Sequence, residues 1–590
     1  MHLERNRMRK LLIYLEGYKK EAILAPLFKM LEATFELFTP IIMKLIIDVG
    51  INDGDNAYII KMCAVMITFG IIGLVCSITA QYYSAKASVG FSTIIRQKLF
   101  DHIQSLGFSE MDKIGTSTMI TRLTSDINQV QSGVNLVLRL FMRSPFIVIG
   151  SMIMAFTIDT KSAIIFLIAI PLISLIIFGV MLISIPLYKK VQAALDDVLN
   201  STRENLIGAR VIRAFHKEEE EIQNFNKNSE HLKKLQIFAG KILAFMNPAT
   251  YIIVNAAIII LLYTGAIKVN IGLLTTGEVI ALVSYMSQIL IELIKLANLI
   301  ISVTKAVASG NRIQSILEIK SKMDKNSNNK KEFSSIQDNS KKSFIEFKNV
   351  SLKYYDEGED ALSNINLKVE KGETIGIIGG TGSGKSSLVN LIPRFYDVTE
   401  GDLLINGQSV KEYNIDELRK NIGIVMQKAV LFKGSIKDNL YWGKKDASIE
   451  DIEEALYISQ AKEFVEKKDK GINSFIEQGG KNLSGGQKQR LTIARALIKK
   501  PEILILDDSA SALDFTTDAK LRAAIKNMKD KPTVFIVSQR TSAIRQADKI
   551  VVLDNGKITA IGTHEELLGK CAIYNEIYYS QYTKVENEIR

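Results

Sequence analysis

ETIGIIGGTGSGKSS, residues 373–387, decides how the second half of the chain folds. The apolar run Ile375–Ile378 reads as a strand, and it leads straight into Gly379-x-x-x-x-Gly384-Lys385-Ser386. Between the bracketing glycines lie Gly380, Thr381, Gly382 and Ser383, small enough for backbone N–H groups to close around phosphate oxygens. Lys385 would reach the β and γ phosphates, the Ser386 hydroxyl would ligate Mg²⁺, and Ser387 follows in the same turn. The helix that opens here turns its positive dipole end toward the anion. Further on, ILILDD (503–508) reads as a buried strand ending in Asp507, an acid placed to hold the Mg²⁺ shell through water. A strand ending in Asp is a weak signal alone; downstream of the glycine loop it is a strong one. FIEFKNVSLKYY (344–355) alternates as a strand, so an α/β nucleotide-binding domain is expected over 344–590.

The first half is of another kind. Hydrophobic residues make up 47% of the 590, and the long apolar runs lie before residue 310. A helix of about 20 apolar residues crosses a bilayer. Six segments qualify: 22–47, 58–82, 137–158, 162–187, 246–267 and 276–299. The segments between them, near 83–136 and 188–245, are charged and helix-like, so the spans are expected to continue well past the membrane. Arg5, Arg7, Arg9, Lys10, Lys19 and Lys20 precede the first span, and the first loop carries Asp48, Asp53 and Asp55 without Lys or Arg. The positive-inside rule puts the N-terminus in the cytoplasm, and six crossings return the nucleotide domain there. The first apolar segment is too long for a cleaved signal peptide. A six-helix membrane domain (1–319) thus precedes a Lys-, Asn- and Ser-rich linker (320–343) that breaks every periodicity.

The net charge of +11 could point to nucleic acid, but basic inside loops account for it, and no nucleic-acid partner is expected. Cys63, Cys76 and Cys571 show neither metal spacing nor a disulfide framework. Richness in Lys, Ile and Asn hints at a bacterial source, hence at a cytoplasmic membrane.

NLSGGQKQR (482–490) lies between the glycine loop and ILILDD. These three motifs in this order resemble the ATP-binding cassette (ABC) family, and with six spans in front the chain looks like a half-transporter of the exporter type. The resemblance implies a head-to-tail pair of cassettes holding two ATP molecules. Each ATP would meet the phosphate loop of one chain and the signature of the other, so Ser484, Gly485, Gly486 and Gln487 would act on partner-bound ATP. Tyr354 matches the aromatic that stacks on adenine, and a strand aromatic in the core is the plain alternative. Gln427 matches the glutamine that touches Mg²⁺ and the attacking water. Glu477 falls in the segment that meets the membrane domain, and SALD (511–514) matches the loop that crosses the interface. The two long inside segments look like the family's cytoplasmic loops, each with a coupling helix. The second would reach the partner's cassette.

Two positions depart from the family pattern. Its catalytic glutamate is Asp508 here, one methylene shorter, a retraction of about 1.5 Å. A misplacement of about 1 Å can cost about 100-fold in rate. Its γ-phosphate histidine is Gln539, in TVFIVSQRTSAI (533–544), and glutamine cannot become cationic near neutral pH. Gripping residues are intact while two catalytic positions are weakened. The expectation is a heterodimer: this chain binds ATP at a degenerate site and lends its signature to a partner's competent one. The other readings are a homodimer hydrolysing slowly with Asp508, and an ATP-gated regulator or importer on the same scaffold. Six spans argue against a soluble cassette ATPase acting on ribosomes or DNA.

Charges inside a span are costly and tend to face an interior or a cavity. Lys29, Glu32, Glu36 and, beyond Pro40, Lys44 fall near one face of the first span; Tyr285, Gln288, Glu292 and Lys295 share a face of the sixth. They are expected to wall a path for an amphipathic drug or lipid, Glu36 above all. Local pairing of Lys29 with Glu32, and of Glu292 with Lys295, is the structural alternative. Pro40 is expected to kink its helix.

Overall fold

The computed structural model describes residues 7–8, 10–321, 323, 343–355, 358–509 and 512–582. Most of the expected linker 320–343 lies outside the described residues, as do Arg5, Arg9 and Ser511. The chain divides into two compact units: Met1–Ser105 with Gly115–Lys320, and Leu106–Ile114 with Ser321–Arg590.

The first unit is helical. Among the described residues, five stretches are long and apolar enough to cross a membrane: Asn56–Ser105, Thr116–Ile158, Thr160–Ile207, Glu218–Asn270 and Thr276–Leu317. The other expected span is the helix Lys19–Leu45. Its charges, Lys29, Glu32 and Glu36, rather than its length separate it from the five. A 50-residue helix such as Asn56–Ser105 is about 75 Å long, against a hydrocarbon core of about 30 Å. Only 6% of that helix's most apolar stretch is buried within the chain. Ile67, Leu74, Leu167, Leu175 and Ile259 likewise point outward. So much exposed apolar surface fits lipid rather than water.

Local sequence sets the helix boundaries. Asp159 accepts a hydrogen bond from the Ser162 amide and starts Thr160–Ile207. Thr275 and Glu278 form a reciprocal capping box at the head of Thr276–Leu317. The segment expected as 137–158 is interrupted at Phe141–Met142, between helices Ile127–Leu140 and Arg143–Ile158. Pro145 lacks the N–H that would continue the ladder, and it sits in the first turn of the new helix, where none is needed. Pro40, in contrast, lies inside a helix that continues to Leu45 and then widens into a π turn, Ile46–Ile51. That turn is tied to the last long helix: the Gly277 amide donates to Asp48 at 2.7 Å, the Thr275 hydroxyl donates to the same carboxylate, and Lys44 pairs with Glu278 at 2.8 Å.

The second unit is α/β. Its strands are β1 (Ile345–Leu352), β2 (Leu362–Val369), β3 (Thr374–Ile378), β4 (Glu400–Ile405), β5 (Gln408–Ser409), β6 (Ile422–Val425), β7 (Gly434–Ser435), β8 (Phe475–Ile476), β9 (Ile503–Asp507), β10 (Thr533–Val537), β11 (Lys549–Asp554) and β12 (Lys557–Gly562). Among the described residues the main sheet runs β12-β11-β3-β10-β9-β6, parallel except at β12, and β2-β1-β4-β5 forms an antiparallel sheet. The continuous apolar run in β9 has a direct cause. Ile503 and Ile505 enter the core toward Phe347 and Phe535, while Leu504 and Leu506 enter the opposite core with Val534 and Ile536. Both faces of the sheet are covered, so alternation is lost.

Candidate functional site

The sheet order assembles the site. β3, β10, β9 and β6 are neighbours, and the chain leaves their C-terminal ends at Gly379, Gln539, Asp508 and Gln427. Residues from four distant parts of the sequence therefore meet at one sheet edge, where open α/β sheets take their ligands.

The glycine loop joins β3 to the helix Lys385–Leu391. Gly384 has φ +95, and a Cβ there would lie 2.7 Å from the Ala361 carbonyl oxygen, so a larger residue is strained twice over. A Cβ at Gly380 or Gly382 would meet nothing within 4 Å, so the loop is open around both. The Lys385 ammonium is buried and donates to the carbonyls of Gly379 at 2.9 Å and Gly380 at 2.5 Å. That burial lowers its pKa; Asp507 and Asp508 act in the opposite direction. The Ser386 hydroxyl donates to Asp507 at 3.0 Å. Burial pushes the Asp507 carboxyl above the ordinary aspartate range, Asp508 adds to this, and Ser386 and Lys385 oppose it. A hydroxyl and a buried carboxylate side by side, next to an open loop, are the oxygen donors that Mg²⁺ prefers. Among the described residues no group of three His, Cys, Asp or Glu side chains forms a metal site.

Tyr354 lies beside this loop. Its hydroxyl donates to Ser387 at 2.9 Å, and its ring stands edge-on to Tyr396 with centroids 4.9 Å apart. Asp508 follows β9 with φ +47, a left-handed conformation that Asp tolerates better than most residues. Its amide donates to the Val537 carbonyl at 2.9 Å. Gln539 has an exposed side chain two residues beyond β10, and Gln427 is exposed two residues beyond β6. The signature is arranged separately. Ser484 and Gln487 form a capping box at the start of the helix Gly485–Leu497, and Ser484 and Gly485 face solvent. Glu477 is exposed, and its amide donates to Asn482 at 3.1 Å. Asp514, the last residue of SALD, caps the helix Phe515–Lys526.

Two models of known families match the chain. One, described as the ABC transporter transmembrane region, matches residues 22–293; the other, described as ABC transporter, matches residues 362–511 and so includes the glycine loop, the signature and ILILDD. The chain is 35% identical to the uncharacterized ABC transporter ATP-binding protein YfiB of Bacillus subtilis, across 98% of this chain and 100% of that one. The chain belongs to the ABC transporter family. This ABC transporter is also 30% identical to the ATP-dependent lipid A-core flippase of Salmonella typhimurium, over 96% of each chain. Its fold matches a solved bacterial Atm1-family ABC exporter with ATP bound, at TM-score 0.78 and 20% identity, over 96% of this chain and 99% of that one. It is a multi-pass membrane protein with a helical membrane domain and an α/β ATP-binding domain, and the family activity is that of a transporter ATPase.

In the membrane unit of the transporter, the local pairs of the alternative reading both form: Lys29 meets Glu32 at 2.5 Å, and Lys295 meets Glu292 at 2.8 Å. The residue missed from the sequence is Arg143. It binds Glu292 at 2.7 Å and Glu36 at 2.6 Å, joining three helices, while Ser144 donates to the second oxygen of Glu292 at 2.7 Å. The side chains of Arg143 and Glu292 are 7% and 3% exposed, whereas that of Glu36 is 40% exposed. Glu292 is thereby a buried structural anion, and Glu36 is the member that faces outward. An arginine at the head of an apolar run was the available signal. Tyr285 is buried, with its hydroxyl on the Leu37 carbonyl at 2.7 Å, and Gln288 has a buried side-chain oxygen.

Proposed function

We propose that this chain is one half of a heterodimeric exporter of amphipathic compounds, a drug or a lipid, in a bacterial cytoplasmic membrane. It binds ATP tightly at its own site and hydrolyses it weakly there. The observation that carries this reading is the state of Asp508. Its carboxylate is one methylene shorter than the family's glutamate, and its amide is tied to Val537 at 2.9 Å, which holds the backbone at that position to β10.

The gripping parts are complete. Gly379 through Ser387 supply backbone donors and small side chains, Lys385 pairs with the outer phosphates, and Tyr354 flanks the base. Ser386, Asp507 and Gln427 would hold Mg²⁺, which when bound neutralises charge on the β and γ oxygens. Asp508 and Gln539 are left to orient water and the γ-phosphate, one short and the other unable to carry a proton's charge. The exposed Ser484 and Gly485 suit a partner's γ-phosphate. The exposed Val211 and Phe215, on and beside the short helix Ala209–Ala214, suit a partner's cassette. A lipid-type cargo has support in the similarity to a lipid A-core flippase.

The test is ATPase activity of the full-length chain in lipid, alone and with a second half-transporter carrying Glu and His at the matching positions. Turnover should need both chains and survive Asp508→Asn. Brisk turnover and transport by this chain alone would establish the homodimer instead. Loss of most turnover on Asp508→Asn in the pair would end the degenerate-site reading.

A further inference from the structure

We propose that Gln581 is a positioning residue: it fixes the loop that carries Gln539 and thereby links the C-terminal helix to recognition of the γ-phosphate. This rests on the reading of Gln539 as a γ-phosphate contact.

Gln581 is the last residue of the helix Ala572–Gln581. Its side-chain amide donates to the Gln539 carbonyl at 2.6 Å. Its side-chain oxygen accepts from the Thr541 amide at 2.9 Å and from the Thr541 hydroxyl at 3.0 Å. One side chain thus holds the backbone on both sides of Arg540, one residue before it and one after. The loop is held elsewhere by two other groups. The Ser538 hydroxyl accepts from the Arg540 amide at 3.0 Å, and the Arg522 guanidinium donates to the carbonyls of Ser542 at 2.8 Å and Ala543 at 3.1 Å. Neither reaches Gln539. Of these three side chains, Gln581 alone bonds its backbone.

The arm behind Gln581 is rigid at its base. Tyr574 is fully buried, and its hydroxyl lies 2.7 Å from His564 Nδ1. Seven residues later, about 10 Å along the helix, Gln581 is exposed. An exposed side chain ordered by three hydrogen bonds gives up rotamer freedom, and what it secures is the direction of the Gln539 backbone. Movement of the C-terminal helix would therefore move the γ-phosphate contact, while leaving the loop that grips the α and β phosphates untouched.

That asymmetry supplies the test. Affinities for ATP and ADP are measured by competition with a fluorescent nucleotide on the full-length chain in lipid nanodiscs, for wild type, Gln539→Ala, Gln581→Met and the double variant. The expected result is an ATP affinity about fivefold weaker in each single variant, the size of one lost hydrogen bond. ADP should stay within about twofold, and the double variant should lose no more than either single one. If Gln539→Ala weakens ATP but Gln581→Met does not, the inference fails and the site reading stands. If Gln581→Met weakens ATP and ADP alike, its role is general support and the inference fails. If Gln539→Ala leaves ATP unchanged, the γ-phosphate reading fails first and takes the inference with it.

Discussion

Asp508→Glu should restore hydrolysis at this chain's own site. The Asp508 amide is bound to Val537 at 2.9 Å, so the chain past β9 is held to β10 and the carboxylate's reach is set by side-chain length. One added methylene advances it by about 1.5 Å. With about 100-fold at stake for about 1 Å of misplacement, turnover should rise about 10- to 100-fold. The lower end allows for φ +47, a region that glutamate enters less readily than aspartate. Adding Gln539→His should raise it further, because imidazole can carry the charge that an amide cannot. The assay is steady-state ATPase with a partner whose own catalytic glutamate is changed to glutamine, so that the remaining turnover belongs to this site. If turnover stays flat in Asp508→Glu, with and without Gln539→His, side-chain length is not what limits this site.

Two further outcomes follow from the charges. Glu292→Ala leaves Arg143 with Glu36 alone and Ser144 without its acceptor, and should cost about 1.5–3 kcal/mol, read as a fall in thermal melting, while Lys295→Ala, at a side chain 41% exposed, should cost under about 1 kcal/mol. Hydrogen bonds from Lys444 and Lys500 hold Asp451 down at about 2. A folded pKa below the unfolded one stabilises above about pH 4 and loses that stabilisation as pH falls toward 2. Near the surface the contribution is about 0.5–1 kcal/mol, so Asp451→Asn should lose about that much at pH 7 and little near pH 2, flattening the acid limb of a melting-temperature profile.

The site was legible because its parts are local. A glycine loop after an apolar run, or two acids after ILIL, declares its chemistry within a few residues, and parallel pairing then gathers the strand ends. The missed features are long-range. Arg143 meets Glu292 across 149 positions, and Gln581 meets Thr541 across 40. No periodicity links such pairs, since each depends on which helices end up adjacent. The first expected span was legible as a helix, but its charges keep it out of the strongly apolar set. The interruption at Phe141–Met142 has Pro145 as its one local signal, and the apolar run around it masks that signal.

The ties between Lys19–Leu45 and Thr276–Leu317 differ along their length. Near Asp48, the carboxylate and Lys44 can trade their partners for water at little loss. Deeper down the buried Tyr285 hydroxyl donates to the Leu37 carbonyl at 2.7 Å, and parting them would leave two polar groups without partners in the interior. The two helices are thus unlatched at one tip and riveted deeper down. Any widening between them would be a hinged one, fanning from the Tyr285 rivet as a pair of tongs opens from its pin.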